Sequence, residues 1–240
     1  MTVLLAGCAA PPSPPSSSVP ASTSAPAPAP APAPAPLPAD PFAELFAGRL
    51  AGALPVGDDA LVAVTVRRGG ALARLGHDHV VAARRIAGYA DPRQGRAVLR
   101  FRLDEMTVDE AGLRQEAGLA KQPSADAIAG TRENMLTKVL DAARFPFVEI
   151  RAQRLAGDTA HLQTDITLHG VTRRYLVPSV LATAPAGLVA RGTLVLKQTD
   201  FGITPFSVLG GAMAVQDDME IRFVIPVTAP GSSGAPAAVR

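Results

Sequence analysis

The chain has 240 residues, 23 of them basic and 21 acidic, for a net charge of +2. Its basic residues are scattered, Trp is absent, and Tyr is limited to Tyr89 and Tyr175, so no basic stripe with interleaved aromatics marks a nucleic-acid surface. A lone cysteine, Cys8, excludes an intrachain disulfide and a Cys-based zinc cluster, and the length suits one substantial domain with appendages.

Residues 1–8 read MTVLLAGC. Leu5-Ala6-Gly7-Cys8 resembles the lipobox of bacterial lipoprotein signal peptides, which implies a diacylglyceryl group on the Cys8 sulfur. The apolar run is short and has no positive n-region, which places the true start upstream of Met1. The competing reading is a chance Ala/Leu-rich start with a free thiol. Residues 9–41 form a Pro/Ala-rich tether, with strict Ala-Pro alternation over 25–36. Proline fixes φ and removes backbone donors, so neither helix nor sheet propagates there and a disordered, extended spacer is expected. At about 3.1 Å per residue it spans on the order of 100 Å at most. By resemblance to Gram-negative lipoproteins, a residue other than Asp at Ala9 implies sorting to the outer membrane, and a partner-binding Pro-rich motif is the plainer alternative.

Residues 42–57 are a lead-in. Apolar positions 42, 45, 46 and 50 predict a short helix, capped by Asp40-Pro41 and ended by Gly52 or Pro55. Strand patterns then dominate 58–228. They fall at 60–67, 86–90, 98–103, 146–154, 161–168, 172–182, 188–197 and 214–227. Leu99, Phe101 and Leu103 share one face of their strand; so do Ile166 and Leu168, Leu194 and Leu196, and Phe223 and Ile225. Pro226 near a strand end suits an edge or terminal position. Turns are expected at Asp91-Pro92, Gly157-Asp158 and Ala186-Gly187. Ser124 caps a predicted helix running to about Leu140, with Phe145-Pro146 beyond its end. Residues 105–131 read as a long polar, Ala-rich connection. About eight antiparallel strands with a minor helical insertion, and no βαβ spacing, predict an all-β sheet closed on itself. A barrel of that size has room for one small ligand, or is filled by its own side chains. Residues 229–240 read as a disordered tail.

Three segments carry a family resemblance. Asn134-Met135-Leu136 leads to Phe145-Pro146-Phe147-Val148; residues 164–174 read TDITLHGVTRR; and residues 198–207 read QTDFGITPFS. In that order, with the last strand at 214–225, they resemble the YceI-like family over roughly residues 58–228. The resemblance implies a lipocalin-like β-barrel in the periplasm that holds a long isoprenoid lipid, a quinone or polyprenyl chain, along its apolar core. No catalytic residue is carried over, so the expectation is a non-enzyme with no required cofactor. The inward set Leu99, Phe101, Leu103, Ile166, Leu168, Leu194, Leu196, Phe223 and Ile225 is expected to line the ligand. A homodimer is compatible with the pattern, which does not fix the oligomeric state.

The segment Leu75-Gly76-His77-Asp78-His79 departs from the family pattern. In an extended stretch His77 and His79 share a face, where they suit one metal ion, with His169 as a third ligand from a neighbouring turn. The other readings are a polar lid that hydrogen-bonds a quinone head group, or histidines that bond turn carbonyls at the rim with Asp78 supporting the turn. Gly170 and Gly202 are expected to serve backbone geometry, and Asp200 to accept turn amides. Enzyme readings are thin: Ser207 lacks a nucleophile elbow, Asp217, Asp218 and Glu220 suit a turn and a solvated face, and Gly210-Gly211 follows no strand-to-helix signal. Three functions stay open: isoprenoid carriage, a metal site or metal-dependent enzyme on His77 and His79, and a filled structural barrel.

Overall fold

The computed structural model describes residues 40, 42–184 and 187–228. Cys8, the tether and the tail lie outside the described residues, as does most of the turn expected at Ala186-Gly187.

The chain enters through α1 (Ala43–Phe46), which buries Leu45. Phe42 N–H donates to Asp40 Oδ1 at 2.9 Å, so Asp40 does hold the entry, but the helix ends at Ala47, short of Gly52. There follow β1 (Leu54–Pro55), β2 (Leu61–Gly69), β3 (His79–Ala83), β4 (Ala87–Asp91), β5 (Arg96–Arg102) and β6 (Thr107–Val108). Next come α2 (Ala111–Glu116) and α3 (Ala125–Asn134), the latter continuing into a π-helical turn over Met135–Val139. The Ser124 hydroxyl accepts the Ala127 N–H at 3.2 Å, satisfying one of the donors a helix start leaves open. The remaining strands are β7 (Phe147–Arg154), β8 (His161–Leu168), β9 (Val171–Pro178), β10 (Val180–Ala184), β11 (Gly187–Lys197), β12 (Ser207–Val208) and β13 (Met213–Thr228).

These strands make two antiparallel sheets. One runs β1-β4-β5-β7-β8-β9 and the other β10-β11-β13-β2-β3-β6, with β12 paired to β13. The expected strand at 172–182 is two strands: the chain leaves the first sheet at Ser179, whose N–H donates to Ala160 O at 2.8 Å, and enters the second as β10. At the opposite edge of the first sheet, Val56 bridges Val227 of β13. Gly57 N–H donates to Pro226 O at 2.9 Å, where β2 no longer pairs with β13, so the proline's missing donor breaks no ladder there. The inner faces of both sheets share one apolar core, from Val62 and Val81 through Leu99, Phe101 and Ile166 to Leu196 and Ile225.

The stretch 105–131 is not a bare connection. It holds β6 and α2, and Leu113 and Leu119 cover Leu61, Ala63, Val80 and Ala82 on the outer face of β2 and β3. β3 is therefore buried on both faces, which explains its unbroken apolar run and why alternation does not reveal it.

The two unusual polar segments are structural devices. His169 and Gly170 have φ of 52° and 74° and join β8 to β9 as a two-residue hairpin, the left-handed pair that such turns require. A Cβ at Gly170 would sit 2.7 Å from the Phe145 ring. The second segment docks on a bulge in β13, where the register with β2 shifts between Val215 and Met219. Gln198 N–H and Nε2 donate to Asp217 O and Gln216 O, Thr199 binds the Asp217 carboxylate, and Phe201 is fully buried beneath.

Candidate functional site

Alternate residues of β2, β5, β7, β8, β11 and β13 point to one interior, and between them lies a cavity of about 480 Å³. Ordinary ligand sites occupy roughly 300–1,000 Å³. Its walls are overwhelmingly hydrocarbon. All nine residues expected to face inward line it: Leu99, Phe101, Leu103, Ile166, Leu168, Leu194, Leu196, Phe223 and Ile225. Leu99, Phe101, Leu103, Ile166, Leu168, Leu196 and Ile225 are buried, whereas Leu194 and Phe223 are only half-buried, as are Val64, Val66, Ile150 and Ile221 beside them. These half-buried side chains line the cavity itself, so their residual accessibility is consistent with an interior not packed to closure.

Polar lining is concentrated at the ends. At one end stand Asp91, Arg96, Arg154, Thr164 and Ser179. Asp91 is committed to its own turn, accepting the Arg93 and Gln94 N–H groups, and Arg96 Nε donates to Gln153. At the other end stand Arg68, His77, His79, Thr131 and Asn134. His79 opens β3, and its Nδ1 lies 2.6 Å from Oδ2 of Asp109, a carboxylate with no accessible surface. Asp109 Oδ1 accepts Val80 N–H at 3.1 Å and the buried Arg114 guanidinium. Burial alone would raise the Asp109 carboxyl, but the hydrogen bonds from His79, Val80 and Arg114 together hold it below the usual carboxylate value. Arg114 also donates to the carbonyls of Asp78 and Lys121, while its buried Nε has no partner. Burial, with help from Lys121, His79, Arg114 and Arg68, pushes the His77 imidazole down. Asp78 does support its turn, accepting Arg68 N–H at 2.9 Å.

The structure does not bring His169 to that pair. Its ring stacks edge-on to Phe145 at 4.7 Å, its Nδ1 lies 3.4 Å from Phe201 O, and it is absent from the cavity wall. The three-histidine metal arrangement is therefore corrected: among the described residues, no group of three His, Cys, Asp or Glu is placed to hold a metal ion. Asp200 is corrected in a smaller way. Its carboxylate accepts the Tyr175 hydroxyl at 3.2 Å, and the turn amide expected of it is taken by Asp217. Burial and Asp200 push the Tyr175 phenol up to about 12. Asp218 and Glu220 pair with Lys197 and Arg67 on the solvated face. Cys8 lies outside the described residues. Asp109, Arg114 and Thr131 carry no local sequence signal, since each is far from His79 in sequence and none belongs to a motif.

No curated protein matches the chain. Among solved structures it is similar to a polyisoprenoid binding domain from Saccharophagus degradans implicated in plant cell wall breakdown, at 10% identity and a TM-score of 0.52, covering 75% of this chain and 99% of that one. It is likewise similar to BcnA of Burkholderia cenocepacia, at 16% identity and a TM-score of 0.51, covering 71% of this chain and 96% of that one. At such identities the likeness is one of fold. The YceI-like domain model matches residues 90–227, more than half of the chain, from β4 through the strands that wall the cavity, and the chain belongs to the YceI-like family.

Proposed function

We propose that this protein binds a long hydrophobic isoprenoid lipid, of quinone or polyprenyl type, and carries or sequesters it without catalysing a reaction. The observation that carries this reading is the apolar cavity shared by the two sheets. A hydrocarbon chain entering it gains about 0.8 kcal/mol per buried CH₂, and the walls offer no polar group along the middle to oppose it. The nine inward residues are the proposed chain-binding surface. The Ser179 crossover and the Val56–Val227 bridge support closure of the two sheets as a lipocalin-like barrel. The fold-level likeness to a polyisoprenoid-binding domain agrees with this ligand class.

The lipobox-like Leu5-Ala6-Gly7-Cys8 and the Pro/Ala tether support a periplasmic protein anchored to the outer membrane through a lipidated Cys8. Two acyl chains there would hold it stably, where one holds only marginally.

Native mass spectrometry after mild extraction tests the ligand. A bound isoprenoid mass is expected; an empty protein that takes up neither quinone nor polyprenyl lipid would refute the proposal. For the anchor, globomycin-sensitive processing and loss of membrane fractionation in Cys8→Ser are expected, and equal solubility of the two forms would contradict it.

A further inference from the structure

The geometry points to His79 as a head-group acceptor, one that selects an isoprenoid bearing a hydroxyl donor, a quinol or a polyprenol, over one whose head group only accepts. This deepens the isoprenoid reading and rests on it.

An amphiphilic lipid in this cavity must place its head where polar groups are. At the end walled by His77, His79, Thr131 and Asn134, a cavity-lining imidazole is held by a buried carboxylate, Asp109. Asp109 is the fixed point there. Buried, and held ionised by Val80 N–H and Arg114, its carboxylate can only accept. The bond of 2.6 Å to His79 Nδ1 therefore keeps a proton on that nitrogen. In the neutral imidazole the other nitrogen, Nε2, is then a lone-pair acceptor. Asp109 is not part of the cavity wall, whereas Thr131, on the Nε2 side of the ring, is. Nε2 is thus the edge turned toward the cavity. Its protein neighbour there is Thr131 Oγ1 at 3.4 Å, a long contact for an O–H donor, which leaves room for a better one.

The surroundings argue against an anionic head group. Arg114 is spent on Asp109 and on the carbonyls of Asp78 and Lys121, and Arg68 on Gly76 O and Asp78. His77, whose ring centroid lies 6.1 Å from that of His79, is driven toward its neutral form by burial and then by Lys121, His79, Arg114 and Arg68. With the imidazole neutral, a ketone or ionised phosphate oxygen at Nε2 would set lone pair against lone pair, whereas a hydroxyl supplies the missing proton.

The test uses delipidated full-length protein and pairs of probes that differ in the donor. Geranylgeraniol is compared with its methyl ether, and decyl-ubiquinol with decyl-ubiquinone under anaerobic conditions; phytane serves as a head-group-free control. One hydrogen bond predicts that the hydroxyl member binds roughly three- to tenfold tighter. His79→Leu should erase the preference within both pairs. Asp109→Asn, whose amide can donate to Nδ1 and so turn Nε2 into a donor, should shrink or reverse it. If that variant does not fold, His79→Leu still decides. A preference in only one pair names the natural source, prenol or quinol. Equal binding within both pairs, or a preference that survives His79→Leu, would overturn the assignment while leaving the isoprenoid reading standing. Failure of every probe, phytane included, would overturn that reading itself.

Discussion

Replacing Ala190 by Phe distinguishes an unfilled interior from a packed one by the sign of the stability change. Ala190 lies on β11 opposite Ile225 of β13 and lines the cavity. The added ring enters a space of about 480 Å³ walled by aliphatic side chains. Burying a Phe ring contributes about 1.5–3 kcal/mol. Rotamer entropy offsets roughly 0.5–1 kcal/mol of that, leaving a net gain on the order of 1 kcal/mol. In a domain of this size such a gain raises the melting temperature by roughly 2–4 °C. A core already packed to crystal density would instead be overfilled, at a cost of about 1–3 kcal/mol. Urea unfolding of delipidated Ala190→Phe, set beside its isoprenoid uptake, reads both consequences. Stability held or raised together with reduced uptake is expected. Destabilisation of the overpacking size, with uptake unchanged, would refute the reasoning.

Leu168→Arg combined with Phe223→Arg puts two cations on the apolar wall and should lower isoprenoid affinity by ~tenfold or more, read by fluorescence displacement; undiminished affinity would place the ligand elsewhere. Arg114→Met leaves Asp109 buried beside one cationic partner fewer, and should cost about 3–5 kcal/mol in denaturant unfolding, because an uncompensated buried charge remains. The Asp109 carboxyl is held below its unfolded value of 3.8, so its contribution is complete above that pH and lost as pH falls through the depressed value. That acid-limb loss should be smaller in Arg114→Met than in the wild type. His77 runs on a different window. Its imidazole is held below the unfolded value of 6.5, so as pH falls beneath 6.5 the unfolded chain binds more protons and stability declines. Urea midpoints at pH 7.5 and 5.5 should converge in His77→Gln relative to wild type, and an unchanged gap would contradict the assignment.

Strands with one face on the cavity and the other in water were legible because they alternate. β8 matches its expected bounds, β7 and β11 differ from theirs by one residue at one end, and β13 by one residue at each end. β3 was not legible, because α2 covers its outer face and a strand buried twice has no alternation to read. The break at Ser179 was hidden for a related reason: Val177 and Val180 read as one continuing strand, and only the geometry of two sheets makes the chain change partners between them. The apolar half of the candidate site follows from periodicity alone, since position i+2 shares a face with position i. Its polar half depends on contacts between residues 30 and 52 positions apart, His79 with Asp109 and with Thr131, and no local spacing encodes those.

The cavity follows from which side chains occupy the inward positions. The separation of the two facing sheets sets the width of the interior, which fills only if the inward side chains supply enough volume. Toward one end Leu99, Phe101, Leu103, Met106, Leu168 and Leu196 do so, packing closely above the buried Phe201. Toward the other, inward positions fall to Ala90, Ala97, Ala152 and Ala190. Ala90 pairs with Ala97, and Ala97 with Ala152, so three neighbouring strands give up their volume at one level. The chain has no Trp and only 4% aromatic residues, so few large rings are at hand to occupy the space. Between its polar ends the void is walled by alanine and aliphatic side chains, which offer a water molecule almost no partners. The same small inward side chains that leave the core unfilled at that level therefore give the cavity its width there.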